Sequence, residues 1–247
     1  MLNPQENIWL ENFTRQAGVR RAIILHGEVQ DFRYSQAAQE YRCITDVLAA
    51  TLKRAGFDHV IVWDRFSGVQ GVPQDVWNRM VREAVASHGG WSNSSPIPNS
   101  EDYDVGPLAP SPSASPSGAR PPQAEDFLAV VYFHLLHPGQ ERYAFVLDWS
   151  NYLFGNASAL SEQERQWLLI ISKAIRNAPL PLEDAESMSR PANMIVLICP
   201  RIGSIPPSLY QANPAVTEIM VPPPSRPERE LFLKRTQDRW RLQRIPR

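Results

Sequence analysis

The run "ANMIVLICP", residues 192–200, is hydrophobic at every position from Met194 to Cys199. A strand that is apolar on both faces must be covered on both faces, the condition of a central strand in a parallel sheet flanked by helices. Four further runs read as strands: "RAIILHG" (21–27), "DHVIVWDRF" (58–66), "ERYAFVLDWSNYLF" (141–154) and "VTEIMVPPP" (216–224). Helical spacing fills the gaps between them. "SQAAQEYRCITDVLAATLKRAGF" (35–57) sets Tyr41, Ile44, Val47, Leu48, Leu52 and Ala55 on one face and closes on Gly56. "PQDVWNRMVREAVASHGG" (73–90) opens on proline and ends on glycine. "AEDFLAVVYFHLLHPG" (124–139) reads as a helix stopped at Pro138-Gly139, with a strand as the other reading of its β-branched and aromatic content. "LSEQERQWLLIISKAIRN" (160–177) carries a capping box, Ser161 with Glu164, and an apolar face of Trp167, Leu168, Ile171 and Ile175. "PPSLYQANP" (206–214) is a short helix or turn. This alternation specifies an α/β fold, a five-stranded parallel sheet with helices on both faces. Ligands of such sheets bind beyond the carboxyl ends of the strands.

With 247 residues, 43% of them hydrophobic, the chain can bury one good core and a second small one. Its 23 prolines are unevenly placed. Residues 89–123 hold eight Pro, eight Ser and four Gly among 35 positions, a composition that buries too little apolar area to offset its ordering entropy. The segment is therefore expected to be a disordered insert. It separates the first part of the α/β domain (1–88) from the second (124–224), and a basic C-terminal helix (225–247) follows. Two cysteines with no metal-type spacing, Cys43 and Cys199, point to reduced packing residues and a cytoplasmic setting. No apolar run approaches a membrane span, and the N-terminus lacks the basic-then-apolar order of a signal peptide. The net charge of −1 indicates no bulk attraction to membrane or nucleic acid.

Function should show at the strand ends. After the first strand, a phosphate-binding loop would read GxxxxGK[ST], with glycines to free backbone amides and lysine to supply charge. Here the chain reads "HGEVQDFRYS": Gly27 is present, a second glycine and the lysine are not, and Glu28 and Asp31 repel phosphate. Arg33 is the candidate anion contact. After the third strand, Asp148 stands where a magnesium-holding carboxylate would, but Trp149 occupies the place of a water-activating glutamate. Asp148 is then better suited to capping its own turn, "DWSNYLFG". After the fourth strand a polar residue would sense the terminal phosphate, and the chain has Cys199-Pro200, with Arg201 as a displaced substitute. No arginine lies in "SLYQANPAVTE" to reach a neighbouring subunit. His134 and His137 have no third ligand at matching spacing, and GxSxG is absent.

The order of these parts resembles the AAA+ ATPase core, a P-loop NTPase fold. "IILHG" takes the place of the phosphate-loop strand and "YAFVLDWSNYLF" that of the metal-aspartate strand. "MIVLICPRIGSIPPSLYQANPAVTEIMVPPPSRPERELFLKR" is similar to the sensor strand and the entry to the lid. The stretch most resembles the degenerate first module of cyanobacterial and plastid proteins with two AAA-like modules, in which an inactive domain precedes a working ATPase. That resemblance covers roughly residues 20 to 240 and implies a helical lid, truncated here to one helix over 226–243. It implies a non-hydrolysing scaffold or regulatory module, with no cofactor, partnered by an active AAA+ ATPase module or by itself as a homo-oligomer. Trp149, Arg235, Arg239 and Trp240 are the expected partner contacts. Two rivals stand beside it. One is an ATP- and magnesium-binding ATPase whose phosphate loop comes from a downstream half or partner subunit. The other is a nucleic-acid adaptor using "RPERELFLKRTQDRWRLQRIPR" (226–247), where eight Arg and Lys face three acids and Trp240 can stack on a base.

Overall fold

The computed structural model describes residues 8–35, 38–87, 124–179 and 191–240, with side chains as far as 235. The expected disordered insert, 89–123, lies outside the described residues. In chain order the elements are α1 (Ile8–Gln16), β1 (Ala22–Gly27), β2 (Arg33–Ser35), β3 (Glu40–Arg42), α2 (Ile44–Arg54), β4 (His59–Asp64), β5 (Gly68–Gln70) and α3 (Gln74–Ser87). Then come α4 (Ala124–Leu136), β6 (Tyr143–Leu147), α5 (Glu162–Asn177), β7 (Met194–Cys199), α6 (Pro207–Tyr210), β8 (Val216–Val221) and α7 (Arg226–Trp240).

The main sheet runs β5-β4-β6-β7-β1-β8, and β2 with β3 forms a separate two-stranded ribbon. Five strands, β4, β6, β7, β1 and β8, are parallel. The sixth corrects the five-stranded expectation: β5 folds back antiparallel on β4 and edges the sheet. Three residues are too short to show a period, and the turn that creates β5 is made by one side chain. Asp64 Oδ1 accepts from the amides of Phe66 and Ser67 at 2.8 and 2.7 Å.

Strand residues alternate between two cores, as pleating requires. Ile23, Leu25, Val60, Ala144, Val146, Met194, Val196 and Ile198 face α1 and α2 and meet Trp9, Phe13, Leu48 and Leu52. Ile24, Ile61, Trp63, Phe145, Leu147, Ile195 and Leu197 face α3, α4, α5 and α6 and meet Trp77, Met80, Phe127, Trp167, Ile171 and Leu209. Helices thus cover both faces. The capping box of α5 is present, with Ser161 and Glu164 bonded reciprocally.

The helix expected from Ser35 begins only at Ile44. Its first third is instead the β2–β3 ribbon, in which Tyr34 pairs with Tyr41 around Gln39, a non-glycine at φ +56°. The helical spacing of Tyr41 was coincidental: its ring packs edge-on against Tyr34 and Phe232. The C-terminal helix is α7, of which no described side chain is buried.

Candidate functional site at the strand ends

Chain reversal fixes where a ligand crevice can lie. β1 leads across the sheet to β4, whereas β7 leads past β1 to β8, so the switch point opens between the carboxyl ends of β1 and β7. A phosphate cradle there needs backbone amides pointing into the crevice and a helix beginning at once. The loop after β1 is built differently. Gly27 N donates to Pro200 O at 3.1 Å, Glu28 N to Val221 O at 3.0 Å and Val29 N to Gly27 O at 2.8 Å. Three consecutive amides are thereby committed to protein carbonyls. Gly27 is required by this stitching: its φ is +103°, and a Cβ would lie 2.5 Å from Val221 O. The next helix, α2, starts only after the β2–β3 ribbon, with Cys43 at its N-cap and no side-chain cap bond.

Arg33 shares that loop and is 4% exposed. Its guanidinium points inward, donating to Glu28 O at 3.0 Å and Pro222 O at 2.7 Å. Burial lowers its pKa, while Glu228, Asp31 and Glu28 act in the opposite sense. The arginine ties the start of the loop to the exit of β8. The first three amides after β1 and the Arg33 guanidinium are thus engaged by protein carbonyls.

At the end of β6, the Asp148 amide continues the ladder onto Trp63 O at 2.9 Å, and its Oδ1 accepts from Trp149 N at 2.9 Å. The side chain caps its own turn through one amide. Its pKa is raised first by burial and also by the neighbouring Asp64, against the pull of the Trp149 amide. Trp149 adopts the left-handed conformation, φ +51° and ψ +39°, which a bulky side chain rarely takes. Its ring is 42% exposed beside Tyr152, with centroids 5.9 Å apart. Ser150, a site residue not singled out in the sequence, locks this turn to the next strand. Its hydroxyl donates to Leu147 O at 2.6 Å and accepts from Ile198 N at 3.1 Å. A serine two positions after a strand-ending aspartate was the available signal.

At the end of β7, burial pushes the Cys199 thiol up to about 11, so it is a packing group. Arg201 is exposed on the turn that follows, its carbonyl held by Ser204 N at 3.0 Å and Ser204 Oγ at 2.6 Å. Among the expected partner contacts, Arg235 lies 4.3 Å over the Tyr34 ring. Arg239 and Trp240 belong to α7, but their side chains are outside the described residues. The candidate residues thus fall into separate groups. Gly27 and Arg33 share the β1 loop, Asp148 and Trp149 the β6 turn, and Arg235 lies over Tyr34 of the ribbon.

His134 and His137 do not converge. His134 is buried against Met80 O at 3.4 Å, and His137 bonds Phe133 O at 3.1 Å on the helix surface. Among the described residues no group of three or more His, Cys, Asp or Glu can hold a metal ion, and no helix is long and apolar enough to cross a membrane.

No curated protein matches the chain. A family model described as "AAA+ chaperone, N-terminal Rossmann-like domain" matches residues 7–222, from the start of α1 to the end of β8 and the first residue beyond it. The two-faced sheet, the switch point and the length of this match agree, and the chain belongs to the family of AAA+ chaperone N-terminal Rossmann-like domains.

Proposed function

We propose that the chain is a non-hydrolysing scaffold or regulatory module of an AAA+ protein. It serves as the N-terminal half or partner of an active AAA+ ATPase, similar to the inactive first module of cyanobacterial and plastid two-module proteins. One observation carries the reading: the three amides after β1 are bonded to Pro200, Val221 and Gly27. Nucleotide-binding loops leave such amides free for phosphate. The buried Arg33 and the Trp149 in place of a catalytic carboxylate support the same conclusion. The module then works by contact, with no cofactor of its own, in the cytoplasm.

The test is calorimetric titration of magnesium-ATP into the full chain, with a turnover assay alongside. The account expects neither binding heat nor hydrolysis, in the parent or in Trp149→Glu. Magnesium-dependent turnover that disappears in Asp148→Ala would overturn it and restore the ATPase reading.

A further inference from the structure

α1 and α2 lie on the same face of the sheet, where Trp9 and Phe13 of one and Leu48 and Leu52 of the other enter a common core. α1 leads into β1, and α2 leads from β1 through the ribbon towards β4. Both helices therefore run against the parallel strands and end together at the amino ends of those strands. Between them, with Tyr34 and Ser35 of β2 on a third side, is a cavity of about 510 Å³. Its two ends differ chemically. Arg15, the penultimate residue of α1, and Arg54, the last of α2, line one end. Leu10 and Val47, from the first turns of the same helices, line the other with Tyr34. The hydroxyls around the cavity are committed within the protein. Thr14 Oγ1 donates to Leu10 O and Tyr34 OH to Gln39 Oε1, both at 2.8 Å, and Ser35 Oγ accepts from Ala38 N at 3.3 Å. The two arginines are not. Arg42, Arg79 and Arg226 each meet a carboxylate, whereas neither Arg15 nor Arg54 is in an ion pair among the described residues. Arg54 Nε makes a long bond of 3.4 Å to Ala50 O within its own helix. Arginines at helix ends also complement the helix dipole, a role that requires no cavity.

Two guanidinium forks at one end and an apolar wall with a ring at the other suit an oxyanion carried on an apolar body. The volume is that of a small-molecule site. Charge decides which oxyanion. Glu11, four residues before Arg15 on α1, is the third charged residue of the lining, so two arginines and one glutamate leave a single net positive charge. A monoanion balances it, whereas a phosphate monoester dianion or a nucleic-acid backbone overcharges it. The aromatic wall is preset. Tyr41 packs edge-on to Tyr34 with centroids 5.4 Å apart, and Arg235 lies 4.3 Å over its ring, so little ordering remains for a ligand to impose. We propose that the cavity between α1, α2 and β2 binds a small organic carboxylate. Arg15 and Arg54 hold its head, and Leu10, Val47 and Tyr34 take its apolar body. No residue of the strand-end site takes part, so this binding stands whether or not the module hydrolyses ATP.

Titration of phenylacetate into the isotope-labelled full chain, followed by NMR amide shifts, tests it. Acetate supplies the head alone, and phenylacetamide is the neutral isostere. Expected are saturable shifts centred on Thr14, Val47 and Arg54, with acetate and phenylacetamide each weaker by about tenfold or more. Arg15→Gln and Arg54→Gln should each weaken phenylacetate about tenfold and leave phenylacetamide unchanged. Tyr34→Leu should weaken phenylacetate and leave acetate unchanged. Both arginines are exposed, so their variants should keep the parent melting temperature. The proposal is overturned by shifts that do not saturate, or by saturable binding that survives in the doubly substituted arginine variant. Acetate binding as tightly as phenylacetate would overturn it too, as attraction of any anion to the surface. Tighter binding of phenyl phosphate than of phenylacetate would contradict the charge assignment. Arginines that only complement their helix ends would lower the melting temperature on substitution and leave the titration unchanged, which also refutes the site. ATP turnover would refute the non-hydrolysing reading and leave phenylacetate binding in place.

Discussion

Asp148 illustrates how one carboxylate can keep its place and change its work. Its Oδ1 holds a single amide, and burial together with Asp64 raises its pKa. An acid whose folded pKa lies above its unfolded value is stabilising when protonated, and that contribution is lost as pH rises through the folded value. At neutral pH its charge therefore costs stability. Asparagine keeps the acceptor for Trp149 N and removes the charge, so Asp148→Asn should melt at or above the parent temperature. Asp148→Ala removes the acceptor and should cost about 0.5–2 kcal/mol. Thermal melts of the two variants at neutral pH separate the cases, and a lower melting point for Asn would refute the sign. Ser150→Ala is a harsher change, since it removes the buried hydroxyl that bridges Leu147 O and Ile198 N. A loss of about 1–3 kcal/mol in urea unfolding is expected. Gly27→Ala forces a Cβ against Val221 O at positive φ and should cost about as much.

Among the elements, α4 carries a buried, acid-sensitive group. His134 is 3% exposed, and burial lowers its pKa to about 4. A histidine whose folded pKa lies below its unfolded value binds fewer protons in the native state. Its contribution is complete above the unfolded value near 6.5 and is lost as pH falls from there towards 4. The shift corresponds to about 3 kcal/mol over that window. His134→Leu should flatten the stability profile between those limits, measured by urea unfolding at stepped pH. An unchanged slope would show that another group titrates there. The elements also show what a sequence can and cannot announce. The strands β6 and β7 and the helix α5 were legible because their patterns are saturated: every residue of Met194–Cys199 is buried, and the Ser161–Glu164 box is local chemistry. β5 and the β2–β3 ribbon were not, because three-residue strands have no period and depend on partners. Asp64 makes the first, and the packing of Tyr41 on Phe232 supports the second. The absence of a phosphate-loop motif was readable directly. That Arg33 would turn inward was not, since its acceptor Pro222 O lies 189 positions away.

At the scale of the whole molecule, an α/β sheet with a correct switch point commits the first three amides after β1 to its own backbone. At the end of β6, Trp149 and Tyr152 are exposed. The match to the AAA+ chaperone N-terminal family ends at residue 222, just before α7, so the C-terminal helix is an addition to the matched unit. No described side chain of α7 is buried, and removing residues 225–247 should therefore leave one cooperative melting transition. Calorimetry on the shortened chain checks this, and loss of cooperativity would show that the helix belongs to the core. The central claim is that the amides following β1 belong to the fold and not to a ligand. Amide hydrogen exchange at Gly27, Glu28 and Val29, followed by NMR with and without magnesium-ATP, addresses those amides one by one. The account predicts slow exchange at all three without nucleotide, and no change when it is added. Fast exchange that becomes protected on adding magnesium-ATP would contradict it, for the loop would then be a phosphate cradle after all.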